Sequence, residues 1–459
     1  MKRKLLLLLS LVVAGFSVSA QKAFHTQNSG FATASRGIND FDVVDSNIVW
    51  AVAYDGSGAA ATIRDFTVTT DGGYSWLAGA VKGTTATALN NYGLANISAI
   101  NGTTAYASIY PVTTAIGLQG VYKTENAGAT WTKVSTGAFT NASSFINVVH
   151  FFDAQNGIAA GDPANGYFEI YTTSNGGANW TRVPSANIPC TPLASEYGTV
   201  GYYAAYDSTF VYPTTFGRIL LSRDMGATWA LGTTPLDSTD GTALPSISFQ
   251  DQDFAVAVMA NTTAAVNTFI ISQDGGLNWD YAGIDTVGGV YDFNAIEYVK
   301  GTVGTWFATS ANSTSGGMGA AYTEDGAQTW ISIDKEQHTC VRFNDINNGW
   351  AGGFNTSATV GGISKWGSVR TAAGISNNKV DGFEVYPNPS NGKFYVKANV
   401  KGASAIKVMD LTGRVVFQEN YPTKALLFTS IDLSNQTPGI YFVEVREGNN
   451  VSIQKVSVQ

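Results

Sequence analysis

Apolar and polar residues alternate in short runs along most of this chain, and the runs come in pairs. Val149-His150-Phe151-Phe152-Asp153-Ala154-Gln155-Asn156-Gly157-Ile158-Ala159-Ala160-Gly161 reads as strand, tight turn, strand. Val341-Arg342-Phe343-Asn344-Asp345-Ile346-Asn347-Asn348-Gly349-Trp350-Ala351-Gly352-Gly353 reads the same way. Looser copies begin near Ile38, Ile97, Thr199, Ile247 and Phe293. A period of two, broken by Asn or Asp and then Gly, predicts β-hairpins closed by turns of the Asn-Gly kind. A second pattern follows each of the first six hairpins: a small hydroxyl residue, Asp or Asn two places on, Gly near the centre and Trp at the end. It occurs at 69–76, 124–131, 173–180, 222–229, 272–279 and 323–330. The Trp-to-Trp steps are 55, 49, 49, 50 and 51 residues, so the chain is an array of one repeated unit.

In each copy the side chain of Asp71, Asn126, Asn175, Asp224, Asp274 or Asp325 can accept hydrogen bonds from its own turn. Glycine supplies the positive φ. Trp76, Trp131, Trp180, Trp229, Trp279 and Trp330 supply large apolar contacts between units. Two copies carry Asn, which cannot act as a general acid or base, so the pattern is structural. The sixth copy has Gly326 one place early and Ala327 at the expected glycine, which predicts a distorted turn. These residues resemble the Asp-box, or BNR, repeat. The resemblance implies a β-propeller in which each box joins the third and fourth strands of a blade.

Seven hairpins against six boxes predict an all-β chain with a single seven-bladed propeller over 21–370, followed by a small Ig-like sandwich. The seventh unit ends near Trp366 without a box. The segment 23–34 is expected to supply its missing outer strand and close the ring, leaving no open sheet edge.

The first twenty residues read as a signal peptide, with Lys2, Arg3 and Lys4 before an apolar run and Val18-Ser19-Ala20 at the cleavage point. No later stretch is long and apolar enough for a transmembrane helix. Charged residues make up 13% of the chain and the net charge is −8, which disfavours nucleic acid as a partner. Two cysteines, Cys190 and Cys340, exclude a disulfide framework, and burial as small apolar groups is expected over a bridge between them. No metal site or cofactor is predicted, because His25, His150 and His338 are widely dispersed.

After a Gly/Ser/Asn-containing linker at 371–380, residues 381–459 change character. Tyr386-Pro387-Asn388-Pro389, Gly413 and Pro438-Gly439-Ile440-Tyr441 stand among short alternating strands. The stretch resembles the sorting domain recognised by the type IX secretion system. That resemblance implies a partner in the secretion machinery and a destination outside the cell or on its surface.

Residues just before the innermost strands are expected at the channel mouth. Asp40, Glu196 and Asp292 are the candidate acids there, and Arg36, Tyr92, Tyr197 and His338 the candidate ligand contacts. Asp-box relatives include sialidases, xyloglucan-cleaving enzymes, sortilin-like receptors and photosystem II assembly factors. A sialidase requires an arginine cluster, and only seven arginines fall in the expected propeller, several beside the boxes. Xyloglucan-cleaving enzymes use two facing propellers. The single ring is closest in proportion to the members that bind partners. A binding propeller for an extracellular glycan or protein is therefore the leading expectation, ahead of a glycoside hydrolase or a structural surface component.

Overall fold

The computed structural model describes residues 22–368 and 380–459, apart from 60, 84–88, 114–116, 236–242, 261–266, 283–292, 313–316, 328, 412, 423–425 and 449. The expected signal peptide and most of the expected linker lie outside the described residues. The chain divides into two compact units, Met1–Ser368 and Val369–Gln459.

The first unit is a series of four-stranded antiparallel meanders. Their first strands are Arg36–Val43, Tyr92–Ala99, Ile146–Phe151, Ala204–Tyr206, Ala243–Phe249, Ala295–Tyr298 and Val341–Asp345. Meanders two to six are separate sheets. The first and last share one sheet, joined through a single pair, Gly37 with Phe354. The last meander takes its fourth strand from the start of the chain, where Lys22–Asn28 pairs with Val360–Ser368 from Lys22↔Ser368 to Asn28↔Gly362. This is the strand that the missing seventh box called for.

Each apolar core lies between two consecutive meanders. Trp50, Phe66 and Val68 of the first pack with Leu94, Ile97 and Trp131 of the second. Phe168 and Ile170 of the third pack with Phe210, Leu220 and Trp229 of the fourth. The last meander packs back on the first through Cys340, Trp350 and Ile363 against Ile38, Phe41 and Val49. Cys190 and Cys340 are free and buried in two different clusters.

The boxes close by one repeated set of hydrogen bonds. In the first, the Thr69 hydroxyl donates to Asp71 (2.8 Å) and accepts from Gly73 N (2.8 Å), while Ser75 N donates to Asp71 Oδ1 (2.9 Å). Asn126 and Asn175 accept the corresponding N–H through their amide oxygens, from Thr130 and Asn179, each at 2.9 Å. The sixth turn is not distorted, contrary to expectation. Ala327 N donates to Thr323 (3.1 Å), Thr329 N donates to Asp325 (2.9 Å), and Ala327 itself adopts φ 70°. The hydrogen bonds of the box impose the left-handed backbone on a residue that resists it.

The hairpin turns also differ from expectation. Asp153 closes its turn by accepting from Gln155 N and Asn156 N, each at 2.7 Å, and Asp45, Asn101 and Asp251 do the same in their own hairpins. Gly157 and Gly349 lie in the returning strand. A Cβ at Gly349 would meet the Phe343 ring at 2.3 Å, and one at Gly157 would meet Phe151 at 2.9 Å. These glycines make room for an aromatic ring.

The second unit consists of two antiparallel sheets, one of three strands and one of four, around a core that includes Val380, Phe394, Val396, Ile406, Val408, Tyr441 and Val443. The Asn388 side chain ties its loop to the last strand by donating to Lys455 O (2.7 Å) and accepting from Ser457 N (2.9 Å). Tyr441 is buried and donates to Thr437 O at 2.6 Å, Gly413 holds φ 83°, and Gly439 begins the strand that carries Tyr441. Tyr386 remains 41% exposed, with Pro387 and Pro389 each following a cis peptide bond.

Candidate functional site

Apart from the Gly37–Phe354 pair of the first meander, the first strand of each meander has one edge without a β partner among the described residues, and an unpaired buried N–H is costly. Side chains from the preceding meander satisfy these groups. Ala99 N donates to Asp42 (2.5 Å), Phe151 N to Ser98 (2.9 Å) and Tyr298 N to Ser248 (2.9 Å), and Phe343 N donates to Glu297. The accepting side chains recur at one register, which His150, Ala205 and Arg342 share. Asp42, Ser98, His150, Ala205, Ser248, Glu297 and Arg342 pair with Trp50, Tyr106, Ile158, Phe210, Val256, Phe307 and Trp350 of the adjoining strands. All but Ser98 line one cavity of about 510 Å³. The cavity opens to solvent: the side chains of Arg342, Asp40 and Glu297 are 22%, 23% and 16% exposed.

Arg342 is the hub of the charge in this cavity. It reaches Asp40 at 3.1 Å and Glu297 at 3.5 Å, and Glu297 also accepts from Ser248 Oγ at 3.1 Å. Burial pushes Asp42 and Glu297 up to about 7, and raises Asp40 despite the neighbouring guanidinium. Burial alone would lower Arg342, but Asp40 and Glu297 carry it upward. Burial holds His150 down to about 4, so its imidazole is neutral at ordinary pH, packed against Tyr203 and Phe210. The wall is completed by Tyr203, Tyr206, Asp207 and Lys300. Beyond Tyr206 and Asp207 the surface continues into a shallow depression lined by Asp251, Gln252, Asp253 and Gln273. Among the described residues no cluster of His, Cys, Asp and Glu is arranged to hold a metal ion.

Of the residues expected at the channel mouth, the structure brings Asp40 to this cavity. Glu196 lies away from it, 2% exposed, paired with Arg218 at 3.0 Å and accepting from Thr214 Oγ1 at 2.7 Å. Asp292 lies outside the described residues. Arg36 is held by Asp65 (2.8 Å) and Asp55 (3.3 Å). Tyr92 is buried, and its hydroxyl accepts from Leu118 N at 3.3 Å. His338 is buried against Phe24 and faces Asp334 at 3.0 Å, while Tyr197 is 50% exposed away from the cavity lining. Sequence reasoning missed Asp42, His150, Glu297 and Arg342. A signal was available: each is a polar residue between two apolar ones in a first strand, as in Ile296-Glu297-Tyr298 and Val341-Arg342-Phe343.

Comparison with known proteins bears on each unit separately. Two structures of YCF48 share the fold. The one bound to a D1 peptide is 14% identical with a TM-score of 0.50, over 76% of this chain and 98% of that one. The one from Cyanidioschyzon merolae is 15% identical with a TM-score of 0.51, over 75% of this chain and 99% of that one. A stretch of 182 residues, 39% of this chain, is 24% identical to the ulvan lyase NLR42 of Nonlabens ulvanivorans, and the match spans 32% of the lyase. Residues 384–459 match the secretion system C-terminal sorting domain. The chain is therefore a β-propeller carrying a type IX sorting domain, which engages the secretion machinery and directs it to the cell surface or the surroundings.

Proposed function

We propose that this protein is an exported binding propeller that engages an extracellular glycan or protein at the cavity ringed by its first strands. We read the five separate meanders and the two halves of the shared sheet as seven blades of one ring, and the C-terminal unit as an Ig-like sandwich. The observation that carries the reading is the ring of polar side chains at one register. It converges from the first, third, fifth, sixth and seventh blades on a solvent-open cavity, and its members are held in place by neighbouring backbone and by Arg342. Such fixed groups suit recognition, which gains from side chains already ordered before the ligand arrives.

A second reading is polysaccharide cleavage. Two carboxyl groups raised to about 7 beside an arginine form an acid–base arrangement, and part of the chain is similar to a lyase. The test is retention and turnover of the mature full-length chain on polysaccharide and peptide arrays. Saturable retention without product, lost in Arg342→Met, supports binding. Product release that is abolished by Glu297→Gln in a protein of unchanged melting temperature overturns it in favour of the enzyme.

A further inference from the structure

The charge and shape of the cavity narrow what it can hold. Its lining and the adjoining depression together carry six carboxylates, Asp40, Asp42, Asp207, Glu297, Asp251 and Asp253, against two cations, Arg342 and Lys300. Arg342 is already taken by Asp40 and Glu297. Asp42 faces the same space; once ionised, above about pH 7, its carboxylate accepts only from Ala99 N, with no ion pair among the described residues. Carboxylates are acceptors without donors, and the complementary group is one with donors alone: an ammonium or a guanidinium. An anionic ligand would meet like charge here. A flat sugar ring would find few free aromatic faces, because Tyr203 is stacked on Phe210 at 5.3 Å and Tyr298 leans on Trp306 at 5.0 Å.

The depression decides between a lone cation and a longer occupant. It shares Tyr206 and Asp207 with the cavity and extends from there past Asp251 and Asp253, so acidic groups continue outward along one path. A chain with one cationic side chain in the cavity and another over the depression would meet complementary charge along its length. We infer that the site takes a basic polypeptide segment, with a Lys or Arg side chain entering the cavity beside Asp42. The inference rests on the cavity being the binding site. The net charge of −8 adds long-range attraction for such a partner.

The test uses the full mature chain and fluorescence anisotropy with short peptides bearing two or three Lys or Arg residues. Matched peptides carry acetyl-lysine or citrulline instead, and n-butylammonium is added as a small competitor. The basic peptides are expected to bind saturably, more weakly as salt rises, with displacement by n-butylammonium. The Asp42→Asn and Asp207→Asn double variant should lose at least tenfold in affinity. Asp42→Asn keeps an oxygen for Ala99 N, and an unchanged melting temperature separates lost binding from lost folding. Asp71→Asn, in a box turn, should bind as the unaltered chain does. Equal binding of the neutral peptides overturns the inference. So does retention of a glycan, glucosamine oligomers included, in preference to the basic peptides; both outcomes leave the binding propeller standing. Failure to retain any peptide or glycan overturns both.

Discussion

At the scale of single residues, the boxes show how local chemistry fixes a backbone. Asp274 accepts from Ser272 Oγ, Leu277 N and Asn278 N at 2.9, 3.1 and 2.9 Å, and from the Asn278 amide at 2.6 Å. Asp274→Ala should cost about 2 kcal/mol in denaturant unfolding, since several donors lose a charged acceptor at once. Asp274→Asn should cost less than about 1 kcal/mol, because Asn126 and Asn175 already perform this task. Ala327 pays for its φ of 70° with a methyl group in the left-handed region. Ala327→Gly should therefore stabilise the protein by about 1 kcal/mol, less whatever the freer unfolded chain takes back, read as a rise in melting temperature. The boxes were legible in the sequence because every partner lies within eight residues.

At the scale of the element, the hairpins were legible and their interiors were not. Alternation announced the strands, but Asn156-Gly157 suggested a glycine turn where Asp153 makes the turn and Gly157 gives way to an aromatic ring. That distinction depends on the rotamer of Phe151, which no local pattern records. Gly349→Ala should lower stability by about 1–3 kcal/mol, since its new methyl group overlaps the Phe343 ring. The cavity residues were hidden for a related reason. Arg36 begins the first strand and Asp42 stands near its end, six residues and about 20 Å along it. The expected mouth was thus assigned to the ends of the strands that here are occupied by ion pairs. Residues some fifty places apart in the chain meet at the cavity only because every meander shares one register.

For the whole molecule, the charge gathered in the cavity makes stability depend on pH. The carboxyl groups of Asp42 and Glu297 stand at about 7 in the folded chain, against about 4 in an unfolded one. Between those values the folded protein binds more protons, so stability falls as pH rises from about 4 to about 7 and levels off above. Asp40 and Arg342 share the cavity with this pair, as do His150, Tyr203, Asp207 and Lys300. His150, held down to about 4, works the other way between about 4 and 6.5 and offsets part of the trend set by the two carboxyl groups. The melting temperature should be several degrees lower at pH 8 than at pH 5. The difference should shrink in the Asp42→Asn and Glu297→Gln double variant, as calorimetry across that range would show.

The pairing of Lys22 with Ser368 has a mechanical consequence. The strand that opens the propeller and the strand that ends it run antiparallel, and their free ends leave the ladder side by side. A load pulling those two ends apart would act on one pair of residues at a time, peeling the seam like a zipper. The same load along the strands would have to shear every pair at once. A protein held at the surface through its C-terminal side alone carries no tension across that seam. One gripped at both ends would load that seam pair by pair, beginning at Lys22 and Ser368.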